Sequence, residues 1–184
     1  MKIQINKVRL SFPNLFTPEA FEDGGSKRYG CALLVDKEDT ANMEKIEAAI
    51  DEAGAAKFGE KWEDLKFRKS VKMNGWRDGE TKDYDGYAGC MYVSANSAES
   101  KGPPTVVNSD AMRSRITEAD GIIYGGCYVN AIIEFYGDDR YGKAINCALG
   151  GVRFVKDGDA FGGGAKVSPD EFEDTDDDDD DLLG

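Results

Sequence analysis

A chain of 184 residues can bury one hydrophobic core, and its formal net charge of −13 argues at first sight against a polyanionic partner. The sequence has no histidine, which excludes Ser-His-Asp and Cys-His nucleophilic sites, histidine general bases and zinc sites with imidazole ligands. No segment has the run of about 18 apolar residues of a membrane-spanning helix, no signal peptide is recognisable, and the four cysteines share no CxxC spacing, so we expect a cytoplasmic protein with reduced thiols.

The first predicted element is a half-buried strand over residues 3–10, where apolar and polar side chains alternate with one slip near Asn6. Pro13 and Pro18 are expected to end this strand, because proline cannot donate to a sheet ladder. A second strand is predicted over residues 29–35, after a loop.

A helix is predicted after the second strand. Asp39 or Thr40 can cap its start, and apolar side chains recur at helical spacing over residues 43–53. We expect this helix to end near Gly54 or Gly59.

The rest of the body is predicted to be rich in strands. The segment from Trp76 to Gly79 indicates a tight turn with an exposed indole beside a cation. The Gly150-Gly151 pair predicts a bulge or a sharp bend. A mainly β body with one early helix favours a small Greek-key barrel or a sandwich. The further strands are predicted over residues 89–95, 105–107, 122–135 and 143–155.

The C-terminal part differs sharply in composition. Phe161-Gly162-Gly163-Gly164 opens a segment that is poor in apolar residues and rich in acids, so we predict a folded domain over residues 1–164 and a disordered acidic tail over 165–184. Residues 170–184 hold ten acids and no base. The remaining 169 residues carry a net charge of only −3, and all 23 lysines and arginines lie among them. These cations are free to cluster on one face.

An acidic run is generically a solvated segment, but a tethered polyanion can also occupy a basic groove of its own protein and compete with DNA there. Once displaced, it can dock on basic partner proteins through apolar anchors. A calcium loop is a weaker interpretation, because consecutive aspartates lack the alternating ligands and the fixed glycine. The residues predicted to bind partners are Phe172, Asp176, Asp177, Asp178, Asp179, Asp180, Asp181, Leu182 and Leu183.

Basic residues alternate with aromatic ones in several turns of the body. Proteins that bind single-stranded nucleic acid combine a cationic groove for the phosphates with aromatic rings for the bases, although each ring could instead fill the core. The predicted phosphate contacts are Arg9, Lys27, Arg68, Lys72, Arg77, Arg113 and Lys143. The predicted stacking rings are Phe12, Tyr29, Trp76, Tyr84, Tyr87 and Tyr141.

Four segments give the chain a family resemblance. They are Arg9-Leu10-Ser11-Phe12-Pro13-Asn14-Leu15-Phe16, Trp76-Arg77-Asp78-Gly79, Tyr124-Gly125-Gly126-Cys127-Tyr128-Val129-Asn130 and Phe161-Gly162-Gly163. Through them the chain resembles phage-encoded single-stranded DNA-binding proteins of an OB-fold type, over about residues 2–164. The resemblance implies an OB barrel that coats single-stranded DNA in phage replication and recombination. The acidic tail is similar to that of replicative single-stranded DNA-binding proteins, which contacts other replication proteins, although this chain ends in Leu182-Leu183-Gly184 rather than in an aromatic residue.

Two other classes of function are open to the sequence. A β barrel whose aromatic loops bind another protein, without nucleic acid, is the main alternative. A Mg²⁺-dependent nuclease could use Asp78, Asp83 and Asp85, but these acids lie in a turn-rich stretch without a base, and the chain has no GxxxxGK[ST] phosphate loop. We therefore expect a protein that is not an enzyme and has no cofactor or metal.

Overall fold

Eight strands and two α-helices make up the computed structural model, which describes residues 1–20 and 22–162. The helices are α1 (Thr40–Phe58) and α2 (Leu65–Ser70). The strands are β1 (Lys2–Glu19), β2 (Arg28–Asp36), β3 (Lys72–Met73), β4 (Trp76–Asp78), β5 (Cys90–Ala98), β6 (Thr105–Val107), β7 (Tyr128–Asp138) and β8 (Ala144–Lys156).

Five of the strands close a barrel in the order β1-β2-β5-β8-β7-β1. All its pairings are antiparallel except β5 with β8, where Ala95 lies opposite Cys147. The short strands β3 and β6 pair in parallel with β8, and the short strand β4 pairs antiparallel with β5. The prediction of a mainly β protein with an OB-type barrel and an early helix is therefore confirmed, and the short helix α2 is an addition to it.

The core lies inside the barrel and under α1. The alternating positions of β1, β2, β5 and β7 supply fully buried side chains such as Ile5, Leu33, Val93 and Ile133. Helix α1 packs mainly on β7 and buries Ile46 against this core. Asp39 caps the helix, as predicted, by accepting a hydrogen bond from the Asn42 N–H at 3.1 Å.

Two predicted irregularities of the sheet are confirmed. The slip in the first strand is a bulge between Ile5 and Val8, where Lys7 adopts a φ of 51°. The buried Asn42 amide fixes this bulge, because its side chain donates to the Asn6 carbonyl at 2.8 Å and accepts from the Asn6 N–H at 3.1 Å. In β8, Gly150 is the extra residue between the Ile132–Gly151 and Ile133–Leu149 pairs.

Two predicted strand boundaries are wrong, whereas one of the two predicted ends of the helix is confirmed. Strand β1 continues past both prolines to Glu19, because Pro13 lies in a bulge between the paired residues Ser11 and Asn14 and is not required to donate there. Helix α1 ends at Phe58 with Gly59 as its C-terminal cap residue, which confirms the second of the two predicted ends, and Gly54 instead makes room for the Trp62 ring, which an added Cβ would overlap. The strand predicted over residues 122–135 begins only at Tyr128.

Candidate nucleic-acid interface

An open groove of about 610 Å³ crosses the outer face of β2 and β5. It lies on the barrel wall that the first, second and fifth strands of the chain share. We call it the β2–β5 groove. Its lining residues are Phe12, Asn14, Arg28, Gly30, Cys31, Ala32, Asn74, Arg77, Lys82, Tyr84, Tyr87, Tyr92, Ser94, Ala95, Asn96, Asn146 and Cys147.

Four aromatic rings form a continuous chain along one side of the groove. Phe12 contacts Tyr84 edge-on with ring centroids 5.0 Å apart, Tyr84 contacts Tyr87 at 5.3 Å, and Tyr87 contacts Tyr92 at 5.3 Å. The first two rings are 57% and 51% exposed, whereas Tyr87 is only 2% exposed. The buried pair thus anchors the exposed pair, and two ring faces remain available to a ligand.

Phe12 has an unusual backbone conformation. It lies in the bulge of β1 between Ser11 and Asn14, with a φ of 45°. A non-glycine residue in this left-handed region is strained by roughly 1–2 kcal/mol, and such strain is concentrated at functional sites. The bulge turns the Phe12 ring outward onto Tyr84 rather than into the core.

The charge of the groove is entirely positive. Arg28, Arg77 and Lys82 line it, and no acidic residue does. None of the three cations forms an ion pair within residues 1–20 and 22–162, and Arg28 only donates a hydrogen bond to the Asn96 side chain at 3.3 Å. They are therefore available to neutralise phosphates.

Asparagine amides complete the lining. Asn74 donates to the Asn146 side-chain oxygen at 3.0 Å across β3 and β8, and Asn14 and Asn96 lie on β1 and β5. Each amide can both donate to and accept from a base edge. Sequence reasoning missed these four residues, because four different segments bring them together and no local pattern marks them.

Asn74 directly follows β3 and Asn146 lies in β8, and these two strands lead from the groove to a basic surface. Lys72 lies opposite Ala144, and the Lys143 ammonium donates to the Ser70 hydroxyl at 3.0 Å and lies 4.6 Å from the Phe67 ring centre. Tyr141 is 93% exposed at the tip of the β7–β8 hairpin. At the other side, the exposed Lys27 directly precedes β2. Lys27, Lys72, Lys143 and Tyr141 therefore lie outside the groove lining.

Three of the predicted stacking rings are buried. Trp76 is only 8% exposed because it belongs to β4 and pairs with Val93 of β5, so the prediction of an exposed indole in a turn is wrong. The turn begins directly after the strand and spans Gly79–Thr81. Tyr29 and Tyr87 are buried as well. Burial raises the pKa of the Tyr87 phenol, which donates to the Ser11 hydroxyl at 3.2 Å. Tyr87 therefore lines the groove beside the exposed Tyr84 ring, and Trp76 belongs to the core.

Three predicted phosphate contacts lie away from the groove. Arg68 lies over the Trp62 ring and forms an ion pair with Asp51. Arg113 lines a separate pocket on the opposite part of the sheet. Arg9 binds the last described part of the chain through the Asp159 carbonyl. Their part in DNA binding stays a prediction.

Residues 157–162, which we call the C-terminal strap, run back along the barrel to the groove. Arg9 donates to the Asp159 carbonyl at 2.6 Å, and its guanidinium lies 4.2 Å from the Phe161 ring centre. The Phe161 N–H donates to the Gly125 carbonyl at 2.9 Å, and the Gly162 N–H to the Asp85 carboxylate at 3.1 Å. The strap therefore ends beside the loop that carries Tyr84. A pocket of about 490 Å³ lies between its end and the Phe12–Tyr84 pair.

The predicted partner-binding residues, from Phe172 to Leu183, lie outside the described residues. The boundary between residues 164 and 165 also lies there and stays a prediction. Two of the three carboxylates considered for a nuclease have structural partners. Asp78 pairs with Lys37 at 2.9 Å, and Asp85 accepts from the strap. Residues 1–20 and 22–162 contain no group of three or more Cys, Asp or Glu side chains arranged for a metal ion, and no helix there is long and apolar enough to cross a membrane.

The position of the groove defines the class of protein. In OB folds, the second and third barrel strands and the loops after the first and fourth strands bind oligonucleotides or oligosaccharides. The corresponding strands here are β2 and β5, and the corresponding loops carry Lys27 and Tyr141. The chain is thus an OB barrel with a cationic and aromatic groove on the ligand-binding face of that fold.

Comparison with known proteins agrees with this class. Residues 1–183 match the family described as Enterobacter phage Enc34, ssDNA-binding protein, and the chain belongs to that family. It is 43% identical over 181 residues to protein p50 of Acyrthosiphon pisum secondary endosymbiont phage 1, covering 95% of this chain and 94% of that protein.

Solved structures show the same fold. The single-stranded DNA-binding protein from bacteriophage Enc34, in complex with ssDNA, is 28% identical with a TM-score of 0.72, over 88% of this chain and 89% of that one. The single-stranded DNA-binding protein of bacteriophage T7 is 15% identical with a TM-score of 0.55, over 100% of this chain and 98% of that one, and shares the fold alone.

Proposed function

We propose that this protein binds single-stranded DNA in the β2–β5 groove without strong sequence preference and performs no catalysis. The observation that carries the proposal is the lining of the groove. It combines two exposed rings with three cations that form no ion pair within residues 1–20 and 22–162, and it includes no carboxylate. Phosphates would contact Arg28, Arg77 and Lys82, and bases would stack on Phe12 and Tyr84. Membership of a family of single-stranded DNA-binding proteins supports the same ligand.

The strand of DNA would extend beyond the groove at both ends. Lys27 at the start of β2 is placed to receive phosphates on one side. On the other side, the path of the DNA would continue past the Asn74–Asn146 pair to Lys72, Lys143 and the ring of Tyr141. Lys27, Tyr141 and Lys143 belong to the loops that OB folds use for oligonucleotides, and Lys72 lies opposite Ala144 at the start of β8.

In its biological setting the protein would coat single-stranded intermediates of phage replication and recombination in the host cytoplasm. Rings and phosphate contacts are tolerant of sequence, as coating requires. The asparagine amides would add hydrogen bonds to base edges without imposing one sequence.

The acidic tail would regulate this groove and recruit partners. Gly162, the last described residue, lies beside Phe12 and Tyr84, so the ten acids of residues 170–184 would be tethered within reach of the groove. A tethered polyanion competes at a high effective concentration. When DNA displaces it, its aspartates together with Phe172, Leu182 and Leu183 would be free to contact replication and recombination proteins.

The test is fluorescence anisotropy of a labelled oligo(dT), titrated at two salt concentrations with the full chain, with a chain ending after Gly164, and with the full chain carrying Asn at positions 176–181. We expect binding that weakens with salt and tightens in both altered chains, because phosphate neutralisation releases counterions and the competitor is removed. Absence of binding by all three proteins would refute the proposal and favour a β barrel that binds another protein. Equal affinity of the three would refute the competition alone.

A further inference from the structure

A third open pocket, of about 450 Å³, lies on the outer face of β1, β7, β8 and β6. It shares no lining residue with the β2–β5 groove. The glycine pair in β8 deepens this pocket, because neither glycine has a side chain to fill it. An added Cβ would lie 2.8 Å from the Thr105 carbonyl oxygen at Gly151 and 3.2 Å from the Ile132 carbonyl oxygen at Gly150. The bulge and its glycines thus form a trough across the sheet, which we call the β7–β8 trough.

The β7–β8 trough is cationic. Lys2, Arg113 and Arg153 line it, and no acidic residue does. Arg153 donates to the carbonyls of Asn108 at 3.3 Å and Ser109 at 2.9 Å, which fixes the loop that carries Arg113. Glu134, which lies opposite Lys2 in the sheet, is paired with the N-terminal ammonium group at 3.2 Å.

The other lining residues distinguish the trough from the groove. It contains no aromatic ring on which a base could stack, and it offers instead the aliphatic side chains of Val107 and Ile132, the latter 43% exposed. Cations beside aliphatic side chains suit an acidic peptide with apolar residues. A single-stranded nucleic acid would lack its usual stacking platforms there.

We infer that the β7–β8 trough binds the acidic C-terminal segment of a second copy of this protein. That segment combines six consecutive aspartates with Leu182 and Leu183, which matches the three cations and the exposed Ile132. A chain's own tail follows Gly162, which lies beside the groove on the other wall, where the proposed function has the tail compete with DNA. A tail that DNA has displaced is available to a neighbour, and its 20 residues span at most about 70 Å when extended.

Docking of this kind would link adjacent copies along one strand of DNA. The link to coating rests on the proposed function, whereas the docking itself does not require DNA. Arg113, which the sequence suggested as a phosphate contact, would then bind carboxylates instead.

The test uses the full chain with Asn at positions 176–181, so that its own tail does not compete. A fluorescein-labelled peptide of residues 165–184 is titrated with this protein at low salt, alone and with a saturating short oligo(dT) that blocks the groove. We expect binding to persist with the oligo, and to weaken roughly fivefold in Arg113→Glu or Lys2→Glu, in line with exposed ion pairs. Lys61→Glu, an exposed cation outside both pockets, is the matched control, and the peptide with six Asn is the control ligand.

Three outcomes would overturn the inference. The first is loss of peptide binding when the oligo is added, with sensitivity to Arg77→Glu alone, which would place the peptide only in the groove. The second is equal peptide binding by Arg113→Glu, Lys2→Glu and the control. The third is weaker oligo(dT) binding by Arg113→Glu and Lys2→Glu, which would make the trough part of a DNA path. If oligo(dT) does not bind at all, the proposed function fails, and the peptide titration without DNA still decides this inference.

Discussion

Replacing Phe12 separates the contribution of its ring from that of its backbone. Phe12→Ala removes a ring that is 57% exposed and contacts Tyr84 edge-on at 5.0 Å, but it keeps a side chain at a φ of 45°. Phe12→Gly removes the same ring and also the strain, because glycine adopts this conformation freely. The two variants therefore differ in stability and not in the loss of the stacking surface.

The lost stacking surface sets the change in DNA affinity, and the lost ring contact and the relieved strain set the change in folding stability. Loss of one stacked base costs about 1–3 kcal/mol, so both variants should bind oligo(dT) roughly 5- to 150-fold more weakly. Loss of the edge contact costs about 1 kcal/mol of folding stability in Phe12→Ala. In Phe12→Gly the relief of about 1 kcal/mol of strain offsets that loss. A difference of about 1 kcal/mol corresponds to some 2–4 °C in Tm for a chain of this size.

Anisotropy with oligo(dT) and thermal unfolding followed by circular dichroism measure the two quantities on the same samples. Met112→Ala, which removes an exposed apolar side chain outside the groove, is the control and should leave affinity unchanged. Wild-type affinity in Phe12→Ala would refute the stacking role of this ring. A Phe12→Gly variant no more stable than Phe12→Ala would refute the argument from strain.

Three further predictions test other parts of the site. Arg77→Ala should reduce the slope of log K against log salt by about 0.7, since one phosphate contact is lost, while Lys61→Ala leaves the slope unchanged. Arg9→Ala should lower Tm, because charged hydrogen bonds to the strap contribute about 1–2 kcal/mol, yet leave the salt slope unchanged; a reduced slope would restore Arg9 as a phosphate contact. Burial raises the pKa of the Cys31 thiol to about 12, so at pH 8 the protonated, buried thiols should react slowly with Ellman's reagent, and half-buried Cys90 should react first. Rapid reaction of all four thiols in the native protein would contradict the burial.

The sequence predicts most of the barrel because its strands alternate apolar and polar residues, and α1 because its cap and its apolar spacing agree. The error at Trp76 has a specific cause. Glycines on both sides of a short segment indicate a turn, but Gly75 serves a different purpose. An added Cβ there would lie 2.9 Å from the Cys147 Cβ, so Gly75 permits close approach of β8. A close approach between distant strands leaves the same local signal as a turn.

The candidate site is predicted only in part, because tertiary packing decides which aromatic residues reach the surface. Phe12 and Tyr84 were both identified, but their contact joins residues 72 positions apart. Arg28 and Lys82 were missed. Arg28 lies one residue beyond the predicted Lys27, and strand alternation decides which of two adjacent cations faces the groove.

The net charge of −13 is a poor guide to the ligand, because charges act locally in salt solution. The Debye length is about 10 Å at 0.1 M, so a phosphate in the β2–β5 groove responds mainly to nearby charges, which include Arg28, Arg77 and Lys82 of the lining. Acids on the exposed side of α1, on the far side of the barrel wall, are largely screened from it. The tail is different, because its attachment at Gly162 lies beside the Phe12–Tyr84 pair. Raising the salt concentration therefore weakens both the DNA contacts and the competitor, so the gain in affinity on tail neutralisation should shrink as salt rises. A gain that does not depend on salt would mean that the tail acts through its apolar residues rather than its charge.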